Sequence, residues 1–331
     1  MFAVELHLVM DPVRRSVIDV GTNSVKLLVA DVQGHVVAPV FEDSEQTRLG
    51  RGFYEGHLLQ SDSIIHTANA VAQYAEIARI KDSTGIRVIA TSAARDAVNQ
   101  QELLDAIQRA SGLAVEVISG KQEAEWVYRG VRSDPRVVGQ RLLILDVGGG
   151  SSEFIVGQDE EPEFTQSFPI GSVRFLELLK PSDPPNAAEL AHCREFIANI
   201  FTETILPRVE PILERARSGT LVIGTGGAAS ILARMEYALD KYSRSKIDGA
   251  QISLTSIHEW MQRLWSLPLN ERKKIVGLPK KRADVILTGM AIYEAVLQQF
   301  GFPVLQASTR GLRFAAVMQP EPEAAGRSAE R

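Results

Sequence analysis

The chain has 331 residues, of which 45% are hydrophobic and 23% charged, as in an ordinary water-soluble globular protein with room for two domains. The formal net charge of −5 argues against general nucleic-acid binding, and no apolar run approaches the length of a membrane-spanning helix. The single cysteine, Cys193, excludes an internal disulfide and a thiolate metal site, so we expect a reducing compartment, the cytoplasm.

The first half of the chain predicts strands that alternate with helices. The N-terminal stretch MFAVELHLVM lacks the basic region of a signal peptide, and Met10 is an alternative start. Asn99 and Ser119 each have Glu or Gln three residues later, the spacing of a capping box that opens a helix. The predicted elements are strands within 17–40, a helix from 61 that ends before 85, a strand at 87–91, a helix at 102–110, a strand at 113–119 and a helix that ends near 134.

The second half begins the alternation again after a predicted hinge at Asp134-Pro135. Its predicted elements are a strand hairpin from 141, helices at 173–179 and 187–205, a strand at 221–224 followed by a helix, a helix at 282–300, a strand at 303–306 and a helix at 311–318. This order indicates an α/β protein with domains at 1–135 and 136–318. The last helix, about 309–318, is expected to pack back on the first domain, and the tail at 319–331 is expected to be disordered.

One sequence device occurs twice, as VIDVGTNSVKLLVAD at 17–31 and ILDVGGGSSEFIVGQ at 144–158. Each copy has an apolar strand, an acid, a glycine turn with a hydroxyl, and a second strand. Glycines after a strand let backbone N–H groups surround an anion, and a third loop of this kind follows the strand at 221–224. The predicted phosphate-binding residues are Gly21, Thr22, Asn23, Ser24, Gly148, Gly149, Gly150, Ser151, Gly224, Gly226 and Gly227.

Acidic residues next to these turns are candidate metal ligands. Asp19 and Asp146 each end a strand, where a carboxylate can hold Mg²⁺ directly or through water while the ion bridges phosphate oxygens. Glu153 takes the place that Lys26 has in the first copy, which would make one hairpin the metal side and the other the anion side. Exposed strand positions are the alternative for both residues, and for Lys26 this alternative is favoured.

Two further charged residues are candidates for catalysis. Glu123 lies in the first turn of the helix opened by Ser119, where the helix dipole favours a carboxylate that could polarise water. Ordinary helix-end electrostatics explains the same placement. Arg95 follows a strand and could clamp phosphate oxygens, with a surface ion pair as the alternative. Six scattered histidines form neither an HExxH motif nor a serine-hydrolase signature.

A basic stretch at 271–282, ERKKIVGLPKKR, is interpreted as a solvated face rather than a polyanion groove.

With these motifs in order, the chain resembles the exopolyphosphatase / guanosine pentaphosphate phosphohydrolase (Ppx/GppA) family, in a short two-domain form. The resemblance covers roughly 17–317, and the family belongs to the superfamily of actin, sugar kinases and acetate kinase. The matching motifs are DVGTNS at 19–24, ATSAAR at 90–95, ISGKQEA at 118–124, DVGGGSSE at 146–153, GTGG at 224–227, RADVILTG at 282–289 and GLR at 311–313. Gln122, Ala228 and the Phe-Ala after GLR depart from the family pattern.

The resemblance implies two actin-like (ribonuclease H-like) domains, each a mixed sheet flanked by helices, with a cleft between them. It makes Glu123 the general base, Arg95 a phosphate-binding residue, and Asp146 and Glu153 metal-associated acids.

The implied reaction is Mg²⁺-dependent hydrolysis of the terminal phosphoanhydride of inorganic polyphosphate, with Mn²⁺ as the alternative metal. A 5′-phosphohydrolase acting on guanosine pentaphosphate (pppGpp) or another nucleoside polyphosphate is the first alternative. A superfamily kinase and a non-catalytic nucleotide sensor are further alternatives. No nucleic-acid or membrane partner is expected, and the choice between monomer and homodimer is left open.

Overall fold

Two mixed β-sheets form the frame of the protein in a computed structural model that describes residues 11–320. Over that range the first sheet has the order β3-β2-β1-β4-β5 and the second the order β10-β11-β9-β6-β7-β8. The strands are β1 (Val13–Val20), β2 (Val25–Gln33), β3 (Val36–Glu45), β4 (Gly85–Ala90), β5 (Val115–Val117), β6 (Arg141–Val147), β7 (Ser152–Gly157), β8 (Phe164–Phe168), β9 (Thr220–Thr225), β10 (Gln251–Ser253) and β11 (Val304–Ala307).

The sequence repeat is also a repeat in the sheets. β1 is antiparallel to β2, with Asp19 opposite Lys26, and β6 is antiparallel to β7, with Asp146 opposite Glu153. On the other side of each first strand lies a parallel neighbour, β4 for β1 and β9 for β6. Both acids therefore stand at the carboxyl end of a central strand, which is where open α/β sheets bind ligands.

Helices cover the sheets and connect the strands. They are α1 (Ser61–Ile80), α2 (Ser92–Arg95), α3 (Gln100–Ser111), α4 (Gly120–Arg132), α5 (Ser172–Leu179), α6 (Ala187–Ile200), α7 (Leu206–Leu213), α8 (Gly226–Glu236), α9 (Arg244–Ile247), α10 (Leu254–Ser266), α11 (Leu269–Arg272), α12 (Ile286–Phe300) and α13 (Leu312–Met318). No helix within residues 11–320 is long and apolar enough to cross a membrane.

Two residues, Ser119 and Asn99, are predicted to cap the N-termini of helices. Ser119 caps α4, because its hydroxyl accepts a hydrogen bond from the Gln122 N–H at 3.1 Å. The capping box at Asn99 is wrong. The Asn99 amide oxygen accepts instead from the N–H of Leu59, 40 residues earlier, at 2.9 Å, so a tertiary contact replaces the local one.

The predicted long helix at 282–300 is also shorter than expected. Arg282 belongs to a separate 3₁₀ turn, Lys280–Arg282, and α12 begins at Ile286.

Helix α4 connects the two halves of the molecule. Its buried face, which includes Trp126 and Tyr128, packs with Val17 of β1, Ile144 of β6 and Phe314 of α13 in one hydrophobic cluster. The last helix, α13, lies against α4, β1 and β2. The domain boundary at 135 stays a prediction, as does the disordered tail, most of which lies outside the described residues.

Candidate active site

The ends of β1, β6 and β9 line one cleft with a volume of about 540 Å³. Most of the predicted site residues line it: Asp19, Gly21, Thr22, Asn23, Ser24, Glu123, Asp146, Gly148, Gly149, Gly150, Ser151, Glu153, Gly226 and Gly227. Gly224 does not line it. It lies within β9, where the Tyr293 ring and the Leu305 side chain approach so closely that a Cβ would meet both within about 3 Å. Gly224 therefore serves packing behind the cleft.

The first two glycine loops have the same turn. In each, the N–H of the first glycine donates to the carbonyl of the serine three residues later, Gly21 to Ser24 and Gly148 to Ser151, both at 3.0 Å. The loops also meet each other, because Thr22 of the first packs against Gly149 and Gly150 of the second. The cleft is thus closed at one side by contact between the two copies of the repeat.

Glu123 is a buried carboxyl that faces this cleft. The Ser119 cap starts α4 so that Glu123 lies in its first turn, 7% exposed. Burial raises the pKa of Glu123 to about 7, although the neighbouring Arg95 guanidinium opposes that shift. A carboxyl with a pKa near neutrality is suited to exchange a proton with water at physiological pH.

Arg95 holds Glu123 and does not line the cleft. Its Nη1 donates to Glu123 Oε2 and to the carbonyl of Ile118, both at 3.0 Å. This placement differs from the predicted clamp on phosphate oxygens, because the guanidinium is already committed to the carboxylate and to the strand end before α4.

Three more carboxyls surround the ends of β1 and β6; those of Asp19 and Glu153 are buried, and that of Asp146 is part-buried. Burial raises the pKa of Asp19 and raises that of Asp146 to about 6, and Lys26 partly offsets both shifts. Burial beside Glu123 and Asp146 holds the pKa of Glu153 well above its usual range, while its Oε1 accepts a hydrogen bond from Ser167 Oγ at 2.7 Å.

The interpretation of Lys26 as an exposed strand residue is wrong. Lys26 lines the cleft, and burial lowers its pKa while Asp19 and Asp146 raise it. Residues directly opposite each other on antiparallel strands put their side chains on one face, so pairing with Asp19 places Lys26 on the side of the acids.

The comparisons with known proteins agree with this geometry. The model of the Ppx/GppA phosphatase family matches residues 28–322. The chain belongs to the Ppx/GppA phosphatase family.

Relatives of this family member include exopolyphosphatase 2 of Mycobacterium tuberculosis, which is 30% identical over 296 residues, covering 86% of this chain and 90% of that protein. Among solved structures, an exopolyphosphatase from Cytophaga hutchinsonii has a TM-score of 0.81 at 28% identity, over 91% of this chain and 96% of that one. The Aquifex aeolicus Ppx/GppA enzyme has a TM-score of 0.74 at 29% identity, over 92% and 99%. The predicted α/β class, with two mixed sheets in an actin-like two-domain fold, is confirmed.

This Ppx/GppA phosphatase has two arginines in its cleft that the sequence analysis did not name as site residues. Arg282 Nη2 donates to Ser24 Oγ at 2.7 Å, and burial lowers the pKa of Arg282 to about 10. Arg313 lines the cleft and donates to the carbonyl of Leu27 at 2.9 Å. The solvated-face interpretation of 271–282 holds for the exposed Lys273 and Lys274 but not for Arg282. The apolar run that begins three residues later, at Val285, is the sign in the sequence that Arg282 lies close to the core.

Divalent metal fits part of the predicted ligand set. Within residues 11–320, no three Asp, Glu, His or Cys side chains converge as a ligand cluster, so Asp19, Asp146 and Glu153 do not form a joint coordination sphere. Mg²⁺ at phosphate sites commonly uses one or two carboxylates together with substrate oxygens and waters. Asp19 and Asp146 suit that role, because both are acids at strand ends that line the cleft.

Proposed function

We propose that this protein is an exopolyphosphatase that hydrolyses the terminal phosphoanhydride of inorganic polyphosphate and releases orthophosphate. The observation that carries the proposal is Glu123, a buried carboxyl with a pKa of about 7 in a cleft walled by glycine loops. A kinase could use such a base on an acceptor hydroxyl, whereas a base that takes its proton from water makes the reaction a hydrolysis. The names and likeness of the relatives support the same reaction.

In the proposed reaction, Glu123 takes a proton from a water whose oxygen attacks the terminal phosphorus. The bond from that phosphorus to the bridging oxygen breaks, and the shortened chain leaves with the bridging oxygen. Backbone N–H groups of the loops at 21–24, 148–151 and 226–227 would hold the phosphate oxygens, with Lys26 and Arg282 supplying positive charge. Positioning and charge stabilisation dominate phosphoryl transfer of this kind.

We propose Mg²⁺ as the cofactor, held by Asp19 and Asp146, with Mn²⁺ as the alternative. When bound, the ion would neutralise charge on the phosphate oxygens. Asp146→Asn is expected to raise the Mg²⁺ concentration for half-maximal activity at least about tenfold, because the ion loses a charged ligand. The measurement is phosphate release against Mg²⁺ concentration, with Asp159→Asn, an exposed aspartate, as the control. An unchanged Mg²⁺ requirement would remove Asp146 from the metal site.

The rate should depend on pH as the ionisation of Glu123 does. Since the base acts only when ionised, we expect kcat/KM to rise about tenfold per pH unit below about pH 7 and to level above it. Arg95 lowers the pKa of Glu123, so Arg95→Gln should move the inflection to higher pH. The measurement is kcat/KM for both proteins over a pH series, and an inflection that moves down in Arg95→Gln would contradict the assignment.

Guanosine pentaphosphate is the second candidate substrate, because the exposed ring of Tyr242 lines the cleft and could stack with a base. The exposed Lys280 and Lys281 at the same cleft favour an inorganic polyanion. Initial rates of phosphate release from polyphosphates of graded length, pppGpp and ATP would rank the substrates. Phosphate transfer from ATP to an acceptor without net release would indicate a kinase. Tight nucleotide binding without turnover would indicate a sensor. A cytoplasmic location stays a prediction, and the choice between monomer and homodimer stays open.

A further inference from the structure

Helix α5 holds the carbonyl groups of the second glycine loop. The Ser172 N–H donates to Gly148 O at 3.0 Å, and the N–H groups of Val173 and Arg174 donate to Gly149 O at 2.9 and 3.0 Å. The carbonyl of Gly150 is held by a side chain instead, Arg174 Nε, at 2.8 Å. The loop therefore has its three glycine carbonyls turned towards one helix.

This arrangement fixes the direction of the loop's N–H groups. In a trans peptide the carbonyl and the N–H of the next residue point in opposite directions. With the carbonyls of Gly148, Gly149 and Gly150 bound to α5, the N–H groups of Gly149, Gly150 and Ser151 face away from it. All of these residues line the cleft, so the donors available to an anion there depend on the contacts behind the loop.

The Arg174 side chain is itself held in place. Its guanidinium carbon lies 4.4 Å from the centroid of the Tyr54 ring, and its side chain is 16% exposed. Tyr54 belongs to the other half of the chain, and its hydroxyl approaches Gly150 so closely that a Cβ there would lie 2.6 Å from it. Contact with the Tyr54 ring restrains the planar guanidinium of an arginine. The ammonium group of a lysine is not planar and would not be restrained in the same way.

The same arginine is linked to the base. Arg174 Nη2 lies 3.9 Å from Asp96 Oδ2, and Asp96 Oδ1 lies 3.6 Å from Arg95 Nε. Arg95 in turn bonds Glu123. One row of charged groups thus runs from the back of the second glycine loop to the back of the base.

We propose that Arg174 is a positioning residue for the reaction: its side chain fixes the Gly150–Ser151 peptide so that the Ser151 N–H is aimed at a substrate phosphate oxygen. The inference rests on the proposed function, because it takes the second glycine loop as a phosphate-binding element. Arg174 touches no reacting atom in this role and acts through the peptide that it holds.

The test compares Arg174→Gln, Arg174→Lys and Tyr54→Leu, with Arg109→Gln, an exposed arginine of α3, as the charge control. The readouts are kcat, the inhibition constant of inorganic orthophosphate, and thermal unfolding of each protein. We expect Arg174→Gln to raise the orthophosphate inhibition constant about ten- to a hundredfold and to lower kcat by about tenfold or more, because a donor to a charged oxygen is misdirected.

Arg174→Lys keeps the charge but loses the Nε donor and the planar group that contacts Tyr54. Its kcat and its orthophosphate inhibition constant should therefore lie between those of Arg174→Gln and those of the unmodified protein. Tyr54→Leu should weaken orthophosphate binding too, and its effect should be lost in the Arg174→Gln background. If Arg174→Gln does not fold, Arg174→Lys and Tyr54→Leu carry the test.

A folded Arg174 variant with kcat and orthophosphate inhibition within about twofold of the unmodified protein would overturn the inference, and so would fully additive effects of Tyr54→Leu and Arg174→Gln. Glu123→Gln separates this failure from failure of the proposed function. Full turnover in Glu123→Gln would sink the proposed base, whereas weaker orthophosphate binding in the Arg174 variants does not depend on Glu123.

Discussion

Glu123→Gln is expected to lower the turnover of polyphosphate about a hundred- to ten-thousandfold while KM changes little. Glutamine has nearly the same shape as glutamate and can still accept a hydrogen bond from Arg95, but it cannot take a proton from water. The phosphate loops are on other elements and keep their geometry. The measurement is steady-state phosphate release across a range of polyphosphate concentrations, which separates kcat from KM.

The matched control for this variant is Glu125→Gln. Glu125 is on the same helix, two residues further on, and pairs with Lys121 at 3.8 Å on a partly exposed surface. An exposed pair of this kind contributes little to stability, so the control should behave as the unmodified protein. If Glu123→Gln turned over polyphosphate at the rate of Glu125→Gln, the base would have to be sought among the other acids of the cleft, with Asp146 first because the pKa of its carboxyl is about 6.

The parts of this site that the sequence predicts are those formed by neighbours in the chain. The first two glycine loops each lie between the two strands of one hairpin, so strand periodicity alone places Asp19 and Asp146 at strand ends. The Ser119 cap likewise puts Glu123 in a first helical turn. The sequence does not indicate which residue pairs with Glu123. Arg95 is 28 residues away and reaches the carboxylate because β4 and β5 run parallel and end side by side.

The errors have the same origin. Strand alternation puts Lys26 on one of two faces without indicating which face another part of the chain covers, and here its face lines the cleft. Arg282 and Arg313 line the same cleft. They contact Ser24 and the carbonyl of Leu27 respectively, and each contact joins residues more than 250 positions apart in the chain. Asn99 does not cap α3 for a comparable reason, because its amide oxygen accepts a hydrogen bond from the distant Leu59 N–H. In each case a contact between distant segments overrides a local pattern.

The third glycine loop gives the second large prediction. Gly226 has a φ of +84°, and a Cβ on it would lie 2.4 Å from Asp146 Oδ1 and 3.1 Å from the carbonyl of Val147. Two penalties therefore meet in Gly226→Ala. The left-handed backbone costs an alanine about 1–2 kcal/mol, and the new methyl group must displace the Asp146 carboxylate. Because shifts of about 1 Å at a reacting site can cost about a hundredfold in rate, we expect a loss of turnover of that order.

Gly219 separates the two penalties, because it lies at the other end of β9 with a φ of +87° and nothing within 4 Å of an added Cβ. Gly219→Ala should lose a similar free energy of unfolding in urea denaturation and keep full turnover. Gly226→Ala should lose free energy of unfolding and turnover. It should also show the raised Mg²⁺ requirement of Asp146→Asn, since each of these two substitutions removes the Asp146 carboxylate from its place. Equal turnover in the two alanine variants would show that the position of the Asp146 carboxylate does not matter for the reaction. A loss of turnover in Gly226→Ala without a change in Mg²⁺ requirement would assign the loop to phosphate binding alone, and Asp19 would then be the remaining buried acid for the metal.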